Sequence, residues 1–260
     1  MTDILEALRR SLASIAAVIG FVVLWQLLVI AFNVPTWLLP APTAIWAEFV
    51  KQAHLLGKHT VTTGAGAVSG LAIGTASALI LAILMVQSRV LQRILMPLLV
   101  IDQSVPKLAL APIFVIWFGT GMMTRVVIAV VISFFPIIIN AIRGMTTVDR
   151  RVNDLMTTLS ASRWDLLTKI QLPNAVPYIF AGLKVAVPLS VIGAVVAEFV
   201  GADSGLGYLI MVAGSDFKID QQFSAILILS VIGMLLFWLA DRVERLLLPW
   251  HVSVRAQEGT

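Results

Sequence analysis

The chain has no cysteine, only three histidines and two tyrosines, and little charge: Asp, Glu, Lys and Arg make up 12% of its 260 residues. Without thiols there is no disulfide framework, no thiolate nucleophile and no zinc–thiolate site, and the redox compartment cannot be read. The shortage of charge excludes more. A soluble domain of this size needs a charged surface, which this composition does not supply. With 59% hydrophobic residues and a mean hydropathy of +0.98, the solvent for most of the chain is lipid. The formal charge of +4 then marks cytoplasmic loops rather than nucleic-acid binding.

What is present is a series of six apolar runs, at about 12–32, 61–87, 94–118, 125–142, 179–200 and 223–241. Each is near the ~20 residues that a helix needs to cross ~30 Å of hydrocarbon. They predict an all-α, polytopic membrane protein with about six transmembrane helices, in a single domain over 1–260. Arg9 and Arg10 precede the first run, as in a signal peptide, but the run is long and "IAFNVPTW" offers no small-x-small cleavage site. It reads as an uncleaved first membrane helix. With six crossings both termini share a side. Placing the N-terminus inside puts Arg9, Arg10, Arg89, Arg93, Arg143, Arg150, Arg151, Arg163, Lys169, Arg242, Arg245 and Arg255 in the cytoplasm. Only Lys51, Lys58, Arg125 and Lys218 then fall outside. This positive-inside bias sets the expected orientation, with N- and C-termini cytoplasmic.

Gly66, Gly70 and Gly74 fall four apart on one face of the second run, where two backbones can approach closely in ordinary helix packing. Pro97, Pro106, Pro112, Pro136 and Pro188 lie within apolar runs and predict several kinked helices. The tail "HVSVRAQEGT" is expected to be loosely ordered.

Catalytic patterns fail one by one. "GKHT" at Gly57 to Thr60 lacks the earlier glycine of a phosphate-binding loop, and His59 stands where Ser or Thr should follow the lysine. "GADSG" at Gly201 to Gly205 has its serine one place too late for a nucleophile elbow. His54, His59 and His251 read as loop histidines rather than ligands or bases. The charges inside membrane runs carry more information, since a charge at mid-bilayer costs ~2.5–3.5 kcal/mol on insertion scales. Lys184 and Glu198 lie near run ends and are expected to snorkel. Asp102 and Lys107 flank Pro106 in "IDQSVPKLALAP"; they either pair across a broken helix or face a pathway. Asp102, Gln103, Lys107 and Glu198 are the candidate pathway residues. Trp117 and Phe118 suggest an apolar lining but read more simply as packing residues.

One polar stretch remains, between the fourth and fifth runs. Read as a helix over about 151–170, it carries Leu155, Leu159, Leu166 and Ile170 on one stripe, interrupted at Ser160 and stopped by Pro173. It would lie flat on lipid, cap the bundle, or dock a soluble partner. Here "DLMTTLSASRWDLLTKIQLP" resembles the cytoplasmic signature of type I ABC importer permeases, the binding-protein-dependent transport inner-membrane component family, E-A-A-x3-G-x9-I-x-L-P. Asp154 stands for the Glu and Ser160 for the Gly, while Ile170, Leu172 and Pro173 fall in register. Leu155 and Met156 replace the two alanines. "LPAPTAIWAEF", "PKLALAPIFVIWFGTG", "LPNAVPYIFAGLKVAV" and "VVAEFVGADSGLGYLI" extend the resemblance from Leu39 to about Trp250, nearest to the nitrate, sulfonate and taurine branch.

The resemblance implies the MetI-like fold and an ATP-driven importer permease, not itself an enzyme, in the inner membrane. It makes about 151–173 a coupling segment for a separate ATPase, with Asp154, Leu159, Ser160, Ala161, Arg163, Trp164, Ile170, Leu172 and Pro173 as its residues. It implies as partners a second permease copy, two cytoplasmic ATPase subunits and an extracytoplasmic solute-binding protein, alongside membrane lipid. It implies no cofactor on this chain, ATP and magnesium being held by the ATPase. The expected solute is a small organic or anionic molecule, such as a sulfonate, nitrate, an aromatic acid or a vitamin precursor. The alternative is an ion-coupled carrier or channel that works alone, with Asp102, Lys107 and Glu198 as its coupling groups.

Overall fold

The computed structural model describes residues 2–248, with the backbone alone for residues 2–12, 14, 15, 150, 153 and 157. The tail expected to be loosely ordered, with His251 and Arg255, lies outside the described residues, as do the side chains of Arg9, Arg10 and Arg150. Described residues form helices and their connections, with no strand among them. In chain order these are α1 (Thr2–Ala31), α2 (Pro42–Lys51), α3 (Ala53–Gln87) and α4 (Arg89–Ser104). A 3-10 turn (Lys107–Leu110) leads into α5 (Ala111–Phe118), α6 (Met122–Thr146), α7 (Arg150–Thr158) and α8 (Arg163–Leu166). A π turn (Leu167–Gln171) joins α8 to α9 (Leu172–Phe199), followed by α10 (Leu206–Ser215) and α11 (Ile219–Leu247).

Lipid as solvent explains this economy: every backbone group inside hydrocarbon must be paired within its own segment, which a helix does. Helices α3, α6, α11 and the continuous stretch Arg163–Phe199 are each long and apolar enough to cross a membrane. Helix α4 with α5 makes a fifth candidate, bent by 87° at its break. The first run is apolar over Ala16–Ala31, within a helix of 30 residues.

The bent pair is a span in two pieces. Helix α4 starts beside the C-terminal end of α3, where Leu91 and Leu95 pack on the cluster of Met85, Leu99 and Met145. Helix α5 finishes at the opposite end of the bundle, where the Thr124 hydroxyl donates to the Gly119 carbonyl and Gly201 lies against Thr120. The chain therefore passes from one end to the other. The third run, read as one crossing interrupted at Pro106, is two helices joined at Val105 and Pro106. Proline removes the donor that would continue the helix, and the residue before it is driven into extended backbone; Val105 has ψ 125°. Pro97, Pro136 and Pro188, by contrast, lie inside helices that stay continuous, and Pro112 sits in the first turn of α5.

Helix α6 is the centre of the bundle, packed on α3 and on α9. All three meet at Ala129. A Cβ built on Gly193 of α9 would fall 2.6 Å from the Ala129 Cα, and one built on Gly70 of α3 would collide with the Ala129 Cβ. Gly66 and Gly74 continue that face onto Arg125 and Ser133, so the four-spaced glycines form the α3–α6 seam. Between lipid-solvated helices the attraction is close van der Waals contact rather than expulsion of water, and small residues supply it. Adding a methylene there forces backbone shifts that cost about 1–3 kcal/mol.

The stretch "GKHT" is not a loop: Gly57 to Thr60 are helical residues of α3. The amphipathic segment is not one helix either. It divides into α7 and α8, and from Arg163 the helix runs unbroken to Phe199. Pro173 does not stop it. The π turn before Pro173 carries its hydrogen bond from the Leu172 N–H to the Leu167 carbonyl, and this wider turn precedes the residue that cannot donate.

Candidate coupling face and pathway site

Helix α7 ends in a sharp reversal. The Ala161 N–H donates to the Met156 carbonyl at 3.0 Å, a six-to-one bond across the helix end, and Ser160 between them has φ +53°. This is the Schellman arrangement, whose left-handed position usually holds glycine. Ser160 therefore does interrupt the segment, and a side chain there costs roughly 1–2 kcal/mol. A second helix start follows at once. The Ser162 hydroxyl accepts from the Asp165 N–H at 3.1 Å, and the Asp165 carboxylate accepts from the Ser162 N–H at 3.3 Å. This reciprocal capping box fixes the direction of α8. Lys169 lies 2.6 Å from Asp165. The Asp165 carboxyl is lowered to about 2, first by the Lys169 hydrogen bond and then by those from Ser162.

Arg163–Phe199 has 37 residues, about 55 Å of helix at ~1.5 Å per residue, against ~30 Å of hydrocarbon. Its first turns, with Asp165, therefore stand clear of the apolar span. Leu167, 1% exposed, plugs this base into the cluster of Met85, Ile142, Met145 and Ala175, with Leu172 packed alongside. The Asn174 amide holds the Gly144 carbonyl at 2.7 Å, pinning the start of α9 to the end of α6. Around the turn, Leu155, Leu159 and Trp164 are 58%, 67% and 70% exposed. They form no continuous stripe with Leu166 and Ile170, because the reversal at Ser160 separates the helices. Asp154, Arg163 and Pro173 are exposed, and Ala161, Ile170 and Leu172 are half-buried.

At the bundle's middle, across the α4–α5 break, Lys107 Nζ lies 2.7 Å from Asp102 Oδ2 and donates to the Val131 carbonyl at 3.3 Å. The pairing open in the sequence is made. It gives each charge a partner where hydrocarbon offers none. Gln103 is exposed beside it. Asp102 lines a cavity of about 350 Å³ between α3, α4 and α6. A larger hollow of about 570 Å³ lies between α1, α2, α3 and α11, away from these charges and almost wholly apolar.

Glu198 is elsewhere, at the α10 end, and it does not snorkel: it is 2% exposed. Its carboxylate lies 3.1 Å from Arg125 Nε and accepts from the Thr63 hydroxyl at 2.9 Å and the Gly207 N–H at 2.8 Å. Arg125, placed outside by charge counting, is 3% exposed and also donates to the Ser204 carbonyl at 2.7 Å. Thr63 accepts in turn from the Leu206 N–H at 2.8 Å. His59, read as a loop residue, is a buried residue of α3 whose Nδ1 accepts from the Gly205 N–H at 2.8 Å. The network ties α3, α6 and α9 to the loop before α10, and Gly205 (φ +109°) is pressed against Glu198 so closely that no side chain would fit. Lys184 does not snorkel freely either. It pairs with Asp241 at 2.6 Å and with Glu244, bolting α9 to α11.

The sequence reading missed Arg125, Thr63, Asp241 and Glu244. The available signal was complementary charge at matching ends of neighbouring runs: Arg125 with Glu198, and Lys184 with Asp241 and Glu244 three residues apart on one helix face.

Residues 70–249 match the family model described as binding-protein-dependent transport system inner membrane component. The formylaminopyrimidine transport permease protein of Halalkalibacterium halodurans is 34% identical over 248 residues, 94% of this chain and 99% of that one. The riboflavin transport system permease protein of Chloroflexus aurantiacus is 35% identical over 233 residues, 89% of this chain and 87% of that one. The taurine transport system permease protein of Escherichia coli is 32% identical over 162 residues, 62% and 59% of the two chains. Among solved structures, an amino acid ABC transporter crystallised with histidines superposes with a TM-score of 0.60 at 17% identity, covering 77% of this chain and 96% of that one. That likeness concerns the fold.

Proposed function

The chain belongs to the binding-protein-dependent transport system inner membrane component family and is a multi-pass permease subunit of an ABC importer; from that premise we propose that the α7–α8 reversal docks on a separate cytoplasmic ATPase. The observation that carries this reading is the exposure of Leu155, Leu159 and Trp164 on either side of a turn fixed by two caps. Burying such side chains is worth roughly 1.5–3 kcal/mol each before association costs. A flat lipid-surface helix would instead present one continuous stripe, which the reversal prevents.

Two copies of the chain form the pathway, two ATPase subunits sit beneath, and a solute-binding protein delivers cargo at the α10 end. The α7 end, with both chain termini, faces the cytoplasm. ATP closes the ATPase pair, the docked turns move with it, and the bundle shifts from inward-open to outward-open. ATP does this only because it binds the closed state more tightly than the open one. The base is built to transmit such movement, since Leu167 and Asn174 join it rigidly to α3, α6 and α9. Asp102 and Lys107 belong to the pathway. Glu198, enclosed by its own partners, acts with Arg125 as a fastening at the outer end. The relatives named for formylaminopyrimidine, riboflavin and taurine support a small organic solute.

Leu159→Asp with Trp164→Asp tests the docking. The double variant should fold, reach the membrane and lose the ATPase on purification. Retained ATPase and normal uptake would refute the coupling role.

A further inference from the structure

The hollow of about 570 Å³ between α1, α2, α3 and α11 lies at the α10 end of the bundle, since Leu56 in its wall clusters with Leu206, Leu209 and Ile210. Helix α2 roofs it with Ile45, Trp46 and Phe49, and is pinned to α1 where the Gln26 side chain accepts from the Thr43 N–H at 3.2 Å. Helix α1 reaches α11 near its own end, where Trp25 meets Phe223 with ring centroids 6.0 Å apart. Ahead of Trp25, Ala16 to Leu24 are exposed all round. The hollow opens sideways between α1 and α11, onto Val22, Leu227 and Val231, which are 39%, 49% and 52% exposed on apolar segments bathed in hydrocarbon.

Gly57, in the second turn of α3, also lines it. Glycine weakens a helix relative to alanine, so its place needs a reason. Gly66, Gly70 and Gly74 have one in the close approach of α6. Gly57 does not: a Cβ built on it would meet no atom within 4 Å among the described residues. Its missing side chain makes room for no part of this chain, but it widens the hollow. The wall decides what fits there. The Thr60 and Ser224 hydroxyl protons are spent on the Leu56 and Asp220 carbonyls, at 2.7 and 2.8 Å. The other polar side-chain atoms of the wall are the indole N–H groups of Trp25 and Trp46. Ordered water needs two to four partners and finds poor purchase, and a charged solute finds no counterion. At ~30 Å³ per water-sized group, 570 Å³ holds roughly 15–20 such groups, the size of a single acyl chain. No water is expelled when lipid enters from lipid. A chain stays because fixed protein carbon packs it on several sides, as the flat flank of the bundle does not.

We infer that this hollow is a lipid site, which takes one acyl chain of a phospholipid from the leaflet at the α10 end as a strut between α1 and the rest of the bundle. The inference stands apart from the docking of an ATPase and does not depend on it.

The test counts phospholipid retained by the full-length chain after purification in detergent, by native mass spectrometry, in the wild type, Gly57→Leu and Gly64→Leu. Leucine at 57 grows into the hollow, whereas Gly64 is an equally open position of α3 outside it. The expected result is one phospholipid per chain on the wild type and on Gly64→Leu, and its loss on Gly57→Leu with the oligomeric mass unchanged. No phospholipid on the wild type, equal retention in all three, or a lighter oligomer with Gly57→Leu, which would make the hollow a seat for a second copy, overturns the inference. A measurement on the wild type alone decides if Gly57→Leu folds poorly. Phosphatidylcholine brominated at mid-chain, titrated into the delipidated chain in detergent, should quench tryptophan fluorescence and saturate at one per chain, because Trp25 and Trp46 line the hollow. No quenching, or quenching that rises without saturating, overturns it.

Discussion

Arg125→Met removes the counterion of a carboxylate that is 2% exposed and 3.1 Å from the guanidinium. The Thr63 and Gly207 donors remain, yet neither carries charge. Breaking a buried pair by deleting one partner costs about 3–5 kcal/mol, because the other charge stays buried and unmatched. The Ser204 carbonyl also loses its donor, which adds to the cost. Adding Glu198→Gln to Arg125→Met removes the stranded charge and should recover part of the loss, within the ~0.5–3 kcal/mol range of coupling between contacting residues. The assay is reversible unfolding of the purified chain in mixed micelles, titrated with a denaturing detergent and followed by tryptophan fluorescence. A loss below about 1 kcal/mol for Arg125→Met would refute the reasoning, since it lies well under the range for a buried pair. So would strict additivity of the two substitutions.

Ser160→Gly should stabilise the α7–α8 turn by roughly 0.5–1 kcal/mol, the ~1–2 kcal/mol relieved at a left-handed position being partly offset by glycine's greater loss of chain entropy; slower hydrogen exchange at the Ala161 N–H would register it. Lys184→Met takes the cation from Glu244, while Asp241 keeps Arg245 at 2.9 Å. With Lys184 22% exposed, solvent moderates the loss to about 1–3 kcal/mol, and Glu244→Gln added to it should recover part of that loss in the same micelle titration. The Asp165 carboxyl, ordinarily near 3.8, is lowered to about 2 by Lys169 and Ser162. Its contribution to the α8 cap is therefore present above pH 3.8 and lost as pH falls through about 2. A carboxyl carbon titration by NMR should place its midpoint near 2, and a midpoint near 3.8 would show that the capping box does not form.

The helical nature of the membrane runs was legible because period-free hydrophobicity over ~20 residues has one structural outcome in lipid; their number was not, since four helices, or five with the bent pair, meet the length of a span against the six expected. The four-spaced glycines were legible for a related reason: a missing Cβ has few uses in a membrane helix other than close approach. The polar segment between α6 and α9 stood out by motif register, with Ser160 at an interruption that the left-handed turn matches. Its two-helix form was hidden because Leu155, Leu159, Leu166 and Ile170 also fit one helical stripe. Only the left-handed φ at Ser160 and the Ser162 cap break that stripe. Pro173 misled for the opposite reason. Proline ends a helix on average, but a π turn ahead of it absorbs the missing donor. The buried pairs were hardest to see. Arg125 and Glu198 lie 73 residues apart in sequence (198 minus 125), and each alone reads as a flanking charge near a lipid boundary. Only three-dimensional packing brings them into contact. The same holds for His59, whose partner is a backbone amide of a distant loop.

Coupling of this chain to an ATPase through the turn at Ser160 is open to direct test. The most direct measurement is purification of the tagged chain from its native membrane, with identification and stoichiometry of what accompanies it. The expected result is an ATPase in equal number to the permease, a solute-binding protein, and ATP hydrolysis stimulated by the loaded binding protein. The chain emerging alone, under conditions that keep a known importer of this family assembled, would contradict it.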